Sequence, residues 1–386
     1  MRPICLTKSL WPVLAHHHAS MVLAGLYLPT SHTIGKPTMT AHSLIKRRAA
    51  LLGLASLSLA GVATSQTSVA PRTSQDGEQP RSGGRGADAP EKNTTSNAGG
   101  GPRGNQQPAE TISHAQVQSF PLGSSGKGEP WQIHLALPRG PVPKEGAAAL
   151  YLLDGNATFP LAWHAIERLK QAQPELAAEL DALVLVGIGY PSGLRIDTPR
   201  RYQDFTSYTA EEFRRARGAE LETGGRDQFR TFIGQELRHA VGQKTPLNPQ
   251  AQSLLGHSMG GQFAMHMLYR EPQRFQNFIA GDPSFWWNGG SLLEEQAAFI
   301  AGVCAAGGRL SPGKRLLTEN SGTPSPNRPN PTIALAKLEG LSIWHRQQAQ
   351  ASHGSMLGPL VEDGVLFALG RLPATAQQRQ TSPATV

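Results

Sequence analysis

The chain has 386 residues, 39% hydrophobic and 17% charged, which is ordinary globular composition and excludes a wholly disordered or collagen-like chain. Its net charge of +8 invites a nucleic-acid reading, but residues 1–112 carry +6 of it and the rest only +2, so a nucleic-acid domain is not expected. The only cysteines are Cys5 and Cys304, too few for a disulfide framework and too far apart to argue for metal or redox chemistry.

In chain order, Lys46-Arg47-Arg48 precedes an uncharged apolar run, Ala49 to Ala63, that ends in small residues. A basic stretch, an apolar core and small residues make the grammar of a secretory signal, and the run is too short to span a bilayer. Signals stand at a start codon, so translation is expected to begin at Met39. Residues 1–38, with the His16 to His18 triplet, are then upstream read-through, and 39–65 the signal. Residues 66–112 hold 13 Gly and Pro and almost no large apolar side chains, so they are expected to be a disordered tether. The expected location is periplasmic or secreted.

From about residue 113 to 373 short apolar runs alternate with helical stretches. Trp131 to Leu137 alternates like a half-buried strand; Ala147 to Leu153 and Leu183 to Tyr190 are continuous apolar runs suited to strands buried on both faces. Between 227 and 243, Phe229, Phe232, Ile233, Leu237, Ala240 and Val241 share one face of a helix. Strands are expected at Ser253 to Leu255, Phe275 to Gly281, Arg315 to Thr318 and Leu341 to Trp344, with a helix at Gly261 to Tyr269. Strands alternating with helices predict an α/β domain on a mostly parallel sheet, and residues 374–386 a disordered tail.

Gly256-His257-Ser258-Met259-Gly260 lies between an apolar strand and an apolar helix, the context in which a G-x-S-x-G sequence makes a nucleophile. A serine at the tip of so tight a turn is crowded by residues two positions either side, which predicts a steric need for Gly256 and Gly260. The amide of Met259, at the helix start, can stabilise an oxyanion. Downstream stand His266, His345 and His353. His266 lies inside the helix and His345 directly after a strand, whereas His353 lies in a loop, so His353 is the expected base. The orienting acid is expected at Glu319, at the end of the Arg315 to Thr318 strand, with Asp282 as the second candidate and a Ser-His pair without a close carboxylate as the third. A second oxyanion amide is expected from Gly155 or Asn156. No metal or cofactor is called for.

These residues resemble a known family. Leu152 to Asn156, Gly187 to Pro191, Arg200 to Thr206, Thr223 to Gly225, Gly256 to Gly261, Pro283 to Trp287 and His353 to Met356 stand in the order and spacing of the esterase-D-like esterases. Within them the likeness runs to the periplasmic esterases that open the trilactone of enterobactin and salmochelin. The resemblance implies an α/β-hydrolase fold, a nucleophile at Ser258, a base at His353 and oxyanion amides near Asn156 and Met259. Two departures concern the acid: Asp282 stands where the family has Ser, and Glu319 to Gly322 leads into a proline-rich stretch in place of a Gly-Glu-type motif. A bulky anionic catecholate calls for guanidinium groups beside aromatic faces, which Arg195, Arg200, Arg201, Tyr202, Trp286 and Trp287 would supply. The expected partner is a small-molecule ester. The alternatives are a general carboxylesterase, a thioesterase like S-formylglutathione hydrolase, and a non-catalytic binding protein; the last would be expected to lose Ser258 or His353.

Overall fold

The continuous apolar runs Ala147 to Leu153 and Leu183 to Tyr190 form neighbouring strands inside one sheet. The computed structural model describes residues 106–215, 221–324, 330–373 and 376–379; the expected read-through and signal, and most of the tether, lie outside them. Three strands, β1 (Val117–Leu122), β2 (Trp131–Ala136) and β3 (Ala147–Leu153), lead into helix α1 (Gly155–Ala172). Helix α2 (Ala177–Ala182) precedes β4 (Val184–Gly189), followed by α3 (Thr198–Phe205), α4 (Glu211–Arg214) and α5 (Arg226–Phe232). A π turn at Ile233–Leu237 joins α5 to α6 (Arg238–Gly242). Then come β5 (Leu247–His257), α7 (Met259–Arg270), β6 (Asn277–Gly281), α8 (Ser291–Ala305), β7 (Arg309–Ser321), β8 (Glu339–Gln348), α9 (Leu357–Ala368) and β9 (Gln377–Arg379).

The strands order as β1-β2-β4-β3-β5-β6-β7-β8-β9. Pairing is parallel from β4 through β8, while β1 and β2 at one edge and β9 at the other run antiparallel. All six residues of β4 and six of seven in β3 are buried, because helices cover both faces. One face packs Phe205, Phe229, Phe263 and Trp287; the other packs Phe159, Ile166, Leu360 and Val365 from α1 and α9. No helix of the described residues is long and apolar enough to cross a membrane.

The structure extends the domain at both ends. The amide of Ala109 donates to Gly193 O (2.8 Å), and Arg195 N to Gln107 O (2.8 Å), so the last residues assigned to the tether pair with the loop after β4. In the expected tail, Gln377–Arg379 add to the free edge of β8 at Ile343 to His345. An open strand edge offers unpaired backbone groups that even a polar segment can satisfy. The parallel crossovers bring the carboxyl ends of β3, β5, β6, β7 and β8 to one edge, where ligands bind in open α/β sheets.

Candidate active site

Two neighbouring strands each end at a residue of positive φ. After β3, Asp154 takes a positive φ in the left-handed helical region (φ 53°, ψ 48°) and α1 begins; after β5, Ser258 also takes a positive φ, but in a different conformation (φ 59°, ψ −116°), and α7 begins. A non-glycine residue there is strained, and the strain turns its side chain outward above the helix start. A Cβ on Gly256 would lie 2.1 Å from Gly260 O, so Gly256 is required as expected. The second tight position is not Gly260, whose Cβ would have ordinary contacts, but Gly261, where it would meet Gly281 O at 2.7 Å. The first-turn amides of Gly155, Asn156 and Met259 have no intrahelical acceptor, so two helix starts can offer N–H groups at one edge. The Asn156 side chain is otherwise engaged. It donates to Tyr190 O (3.0 Å) and Leu194 O (2.8 Å) and accepts from Tyr190 N and His134 Nε2, which leaves its backbone amide as the candidate donor.

The elbow is tied to the neighbouring strand end: Ser258 N donates to Gly281 O (2.9 Å), and Ser284 N donates to Ser258 O (3.2 Å). Between these anchors stands Asp282. His353 Nδ1 donates to its Oδ2 at 3.0 Å, so the histidine expected as base is held by a carboxylate. Asp282 also accepts from the Ser321 amide (3.0 Å), the Ser321 hydroxyl (2.5 Å) and Asn320 Nδ2 (3.2 Å). Burial alone would raise its pKa, but the bonds from His353, Ser321 and Asn320 outweigh it and hold the carboxyl well below its ordinary value. His353 lies on the loop after β8 with its side chain 59% exposed.

Glu319, the first choice for the acid, does not meet His353. It is fully buried on β7, on the face of Leu317, where Gln348 Nε2 donates to it and Asp363 of α9 lies beside it. Burial, then the neighbouring Asp363, push its pKa up to about 8. Strand alternation sends the side chain under α9, and only its carbonyl reaches the site, accepting from Asp282 N at 2.8 Å. The second candidate from the sequence, Asp282 one strand earlier, occupies the position. The sequence signal that could have selected it is the Gly281-Asp282-Pro283 turn directly after β6, where Asp282 takes a positive φ of 38°. His266 is buried and bonds Glu295 (2.5 Å); His345, expected directly after its strand, lies within β8 and meets Thr318 and Asn330.

The proposed guanidinium and aromatic set largely disperses. Arg201 forms a bidentate pair with Asp154 (2.9 and 2.9 Å) and donates to His257 O (3.2 Å), which locks the two helix-start turns together. Arg200 bonds Glu129 (2.7 Å) and lies over Tyr190. Tyr202 is buried against Trp287, whose indole N–H donates to Thr209 Oγ1 (3.1 Å). Of the six, Trp286, 54% exposed, and the half-buried Arg195 remain at the surface.

A sheet with parallel centre strands, a serine on a strained strand-to-helix turn and a histidine–carboxylate couple beside it define the α/β-hydrolase class. Residues 124–355 match the model of the Putative esterase family, and the chain belongs to that family. It is homologous to serine hydrolases. It is 29% identical over 278 residues to a siderophore enterobactin esterase of Emericella nidulans, covering 62% of this chain and 90% of that one. It is 32% identical over 196 residues to the ferri-bacillibactin esterase BesA of Bacillus subtilis, covering 50% and 66%. Among solved structures, a BES protein from Bacillus cereus superposes with a TM-score of 0.58 at 24% identity over 67% of this chain and 98% of that one. The siderophore hydrolase EstA of Aspergillus nidulans gives 0.54 at 25% identity over 66% and 94%.

Proposed function

We propose that the chain is an exported serine esterase that opens an ester-linked siderophore, a catecholate trilactone or a related polyester, through an acyl-enzyme. The observation that carries this is the His353–Asp282 couple beside Ser258 on its strained turn. Ser258 Oγ attacks the ester carbonyl while His353 Nε2 takes its proton; Asp282 fixes the tautomer that leaves Nε2 free to accept and stabilises the imidazolium. The amides of Met259 and of Gly155 or Asn156 receive the oxyanion. His353 then protonates the departing alkoxide, and a water, deprotonated in turn, releases the acid. The siderophore assignment draws on the esterases named above, and the export assignment on the signal-like run at residues 39–65.

A general carboxylesterase is the second reading. One observation favours it: Arg200 and Arg201, expected to meet an anionic catecholate, are engaged in ion pairs. Two measurements test the proposal. Ser258→Ala is expected to abolish turnover of p-nitrophenyl esters with the fold intact by circular dichroism, and unchanged turnover would overturn the serine mechanism. The wild-type protein is expected to prefer a ferric catecholate trilactone over short acyl esters; hydrolysis of simple esters alone would overturn the siderophore assignment and leave the esterase.

A further inference from the structure

His257, the residue before the nucleophile, takes no part in the steps above. Its ring centroid lies 4.5 Å from that of His353, with the planes inclined at 40°. Its Nε2 is buried and has no hydrogen-bond partner among the described residues. One donor atom from each of His257, Asp282 and His353 lies within 4.8 Å of the other two. The His353 Nδ1 to Asp282 Oδ2 edge is already 3.0 Å. Two donors on a tetrahedral zinc ion with bonds near 2.0–2.1 Å stand roughly 3.3 Å apart. The cluster therefore lacks only a closer approach of His257 to the couple. Of its members, His353 can move most readily, because its side chain is largely exposed and its loop follows the sheet, whereas His257 and Asp282 are held at β5 and β6. Two imidazoles and one carboxylate, with a fourth position left to water, are a donor set that suits Zn²⁺ and similar divalent transition metals.

We propose that His257, Asp282 and His353 form an inhibitory site for Zn²⁺ or a like divalent cation. The ion takes one donor atom from each residue, using Nδ1 on His353. The proton on that nitrogen moves to Nε2 of the same ring, so the imidazole stays neutral and no co-reactant is needed. Nε2 then carries a proton where it must accept one from Ser258, and Asp282 is bound to metal in place of the imidazole N–H. Hydrolysis stops while the ion stays and resumes when it leaves. The inhibition rests on the serine-esterase reading; the binding does not.

Calorimetric titration of the full-length Ser258→Ala protein with zinc chloride measures binding without turnover. The His16–His18 tract is present in every protein compared, so the readout is a difference. Ser258→Ala is expected to show one site that the added changes His257→Gln or Asp282→Asn weaken by at least about tenfold. Using both changes keeps the result interpretable if one of them fails to fold. With Ser258 intact, zinc is expected to inhibit p-nitrophenyl ester hydrolysis reversibly, EDTA to restore it, and His257→Gln to raise the half-inhibiting concentration at least about tenfold. Identical titrations of all three proteins, or equal inhibition of His257→Gln, would overturn the site. Zinc binding that depends on His257 in a protein without esterase activity would sink the proposed function and leave the site standing.

Discussion

The ends of β6 and β7 lie side by side, yet each holds a carboxyl group in an opposite state. Asp282 faces the edge and gathers bonds from Ser321, Asn320 and His353, which keep it ionised. Glu319, paired in register with Gly281, points under α9 beside Asp363, where burial and a like charge favour its protonated form up to about pH 8. Residue type does not distinguish the two. What does is the number of donors aimed at each oxygen, and only the group with donors to spare can orient a histidine. Asp154, at the end of β3, is a third arrangement, a carboxylate consumed by a bidentate arginine.

Substitutions that swap or erase these environments test the contrast. Asp282→Asn keeps the shape but removes the charge and the preferred tautomer, and kcat is expected to fall by about 10⁴. A fall of only a few-fold would overturn the acid role proposed for Asp282. Arg201→Met leaves Asp154 buried without its partner and is expected to cost about 3–5 kcal/mol in urea unfolding. A loss under about 1 kcal/mol would mean that the two helix-start turns hold without the clamp. Ser321→Ala removes one charge-assisted donor from Asp282, worth about 1.5–3 kcal/mol, so the acid limb of the pH–rate profile should move upward. Glu319→Gln is expected to leave kcat unchanged and to alter only the pH dependence of stability. Glu319 keeps its proton when folded at pH values where the unfolded chain has released it. Its contribution is therefore full below about 4.5 and is lost as pH rises towards about 8. Melting curves across that window should flatten in the variant; an unchanged slope would remove Glu319 as their source.

The same contrast shows where sequence reading stops. Strands β3 and β4 were legible because sheet burial on both faces writes a continuous apolar run, and the elbow because a strained turn demands Gly256 beside Ser258. His353 was legible by elimination among three histidines. Strand β1 was not, since Pro121 and Gly123 interrupt a short half-exposed segment. The 18-residue α1 hid behind Asp154-Gly155-Asn156, a turn signal that here starts a helix whose second turn contains Pro160. Choosing between Asp282 and Glu319 needs the direction of two side chains at the ends of paired strands, which depends on register and on what α9 covers. The fates of Arg200, Arg201 and Trp287 were likewise fixed by partners 71, 47 and 78 positions away in sequence.

Ser258 at φ 59° and ψ −116° has one more consequence. A side chain held there costs on the order of 1–3 kcal/mol that glycine would not incur. Ser258→Gly should therefore melt at a higher temperature than the wild type while hydrolysing nothing. The fold is at odds with the nucleophile proposed at Ser258, and relaxation of selection for hydrolysis would let it drift towards a sturdier, silent protein.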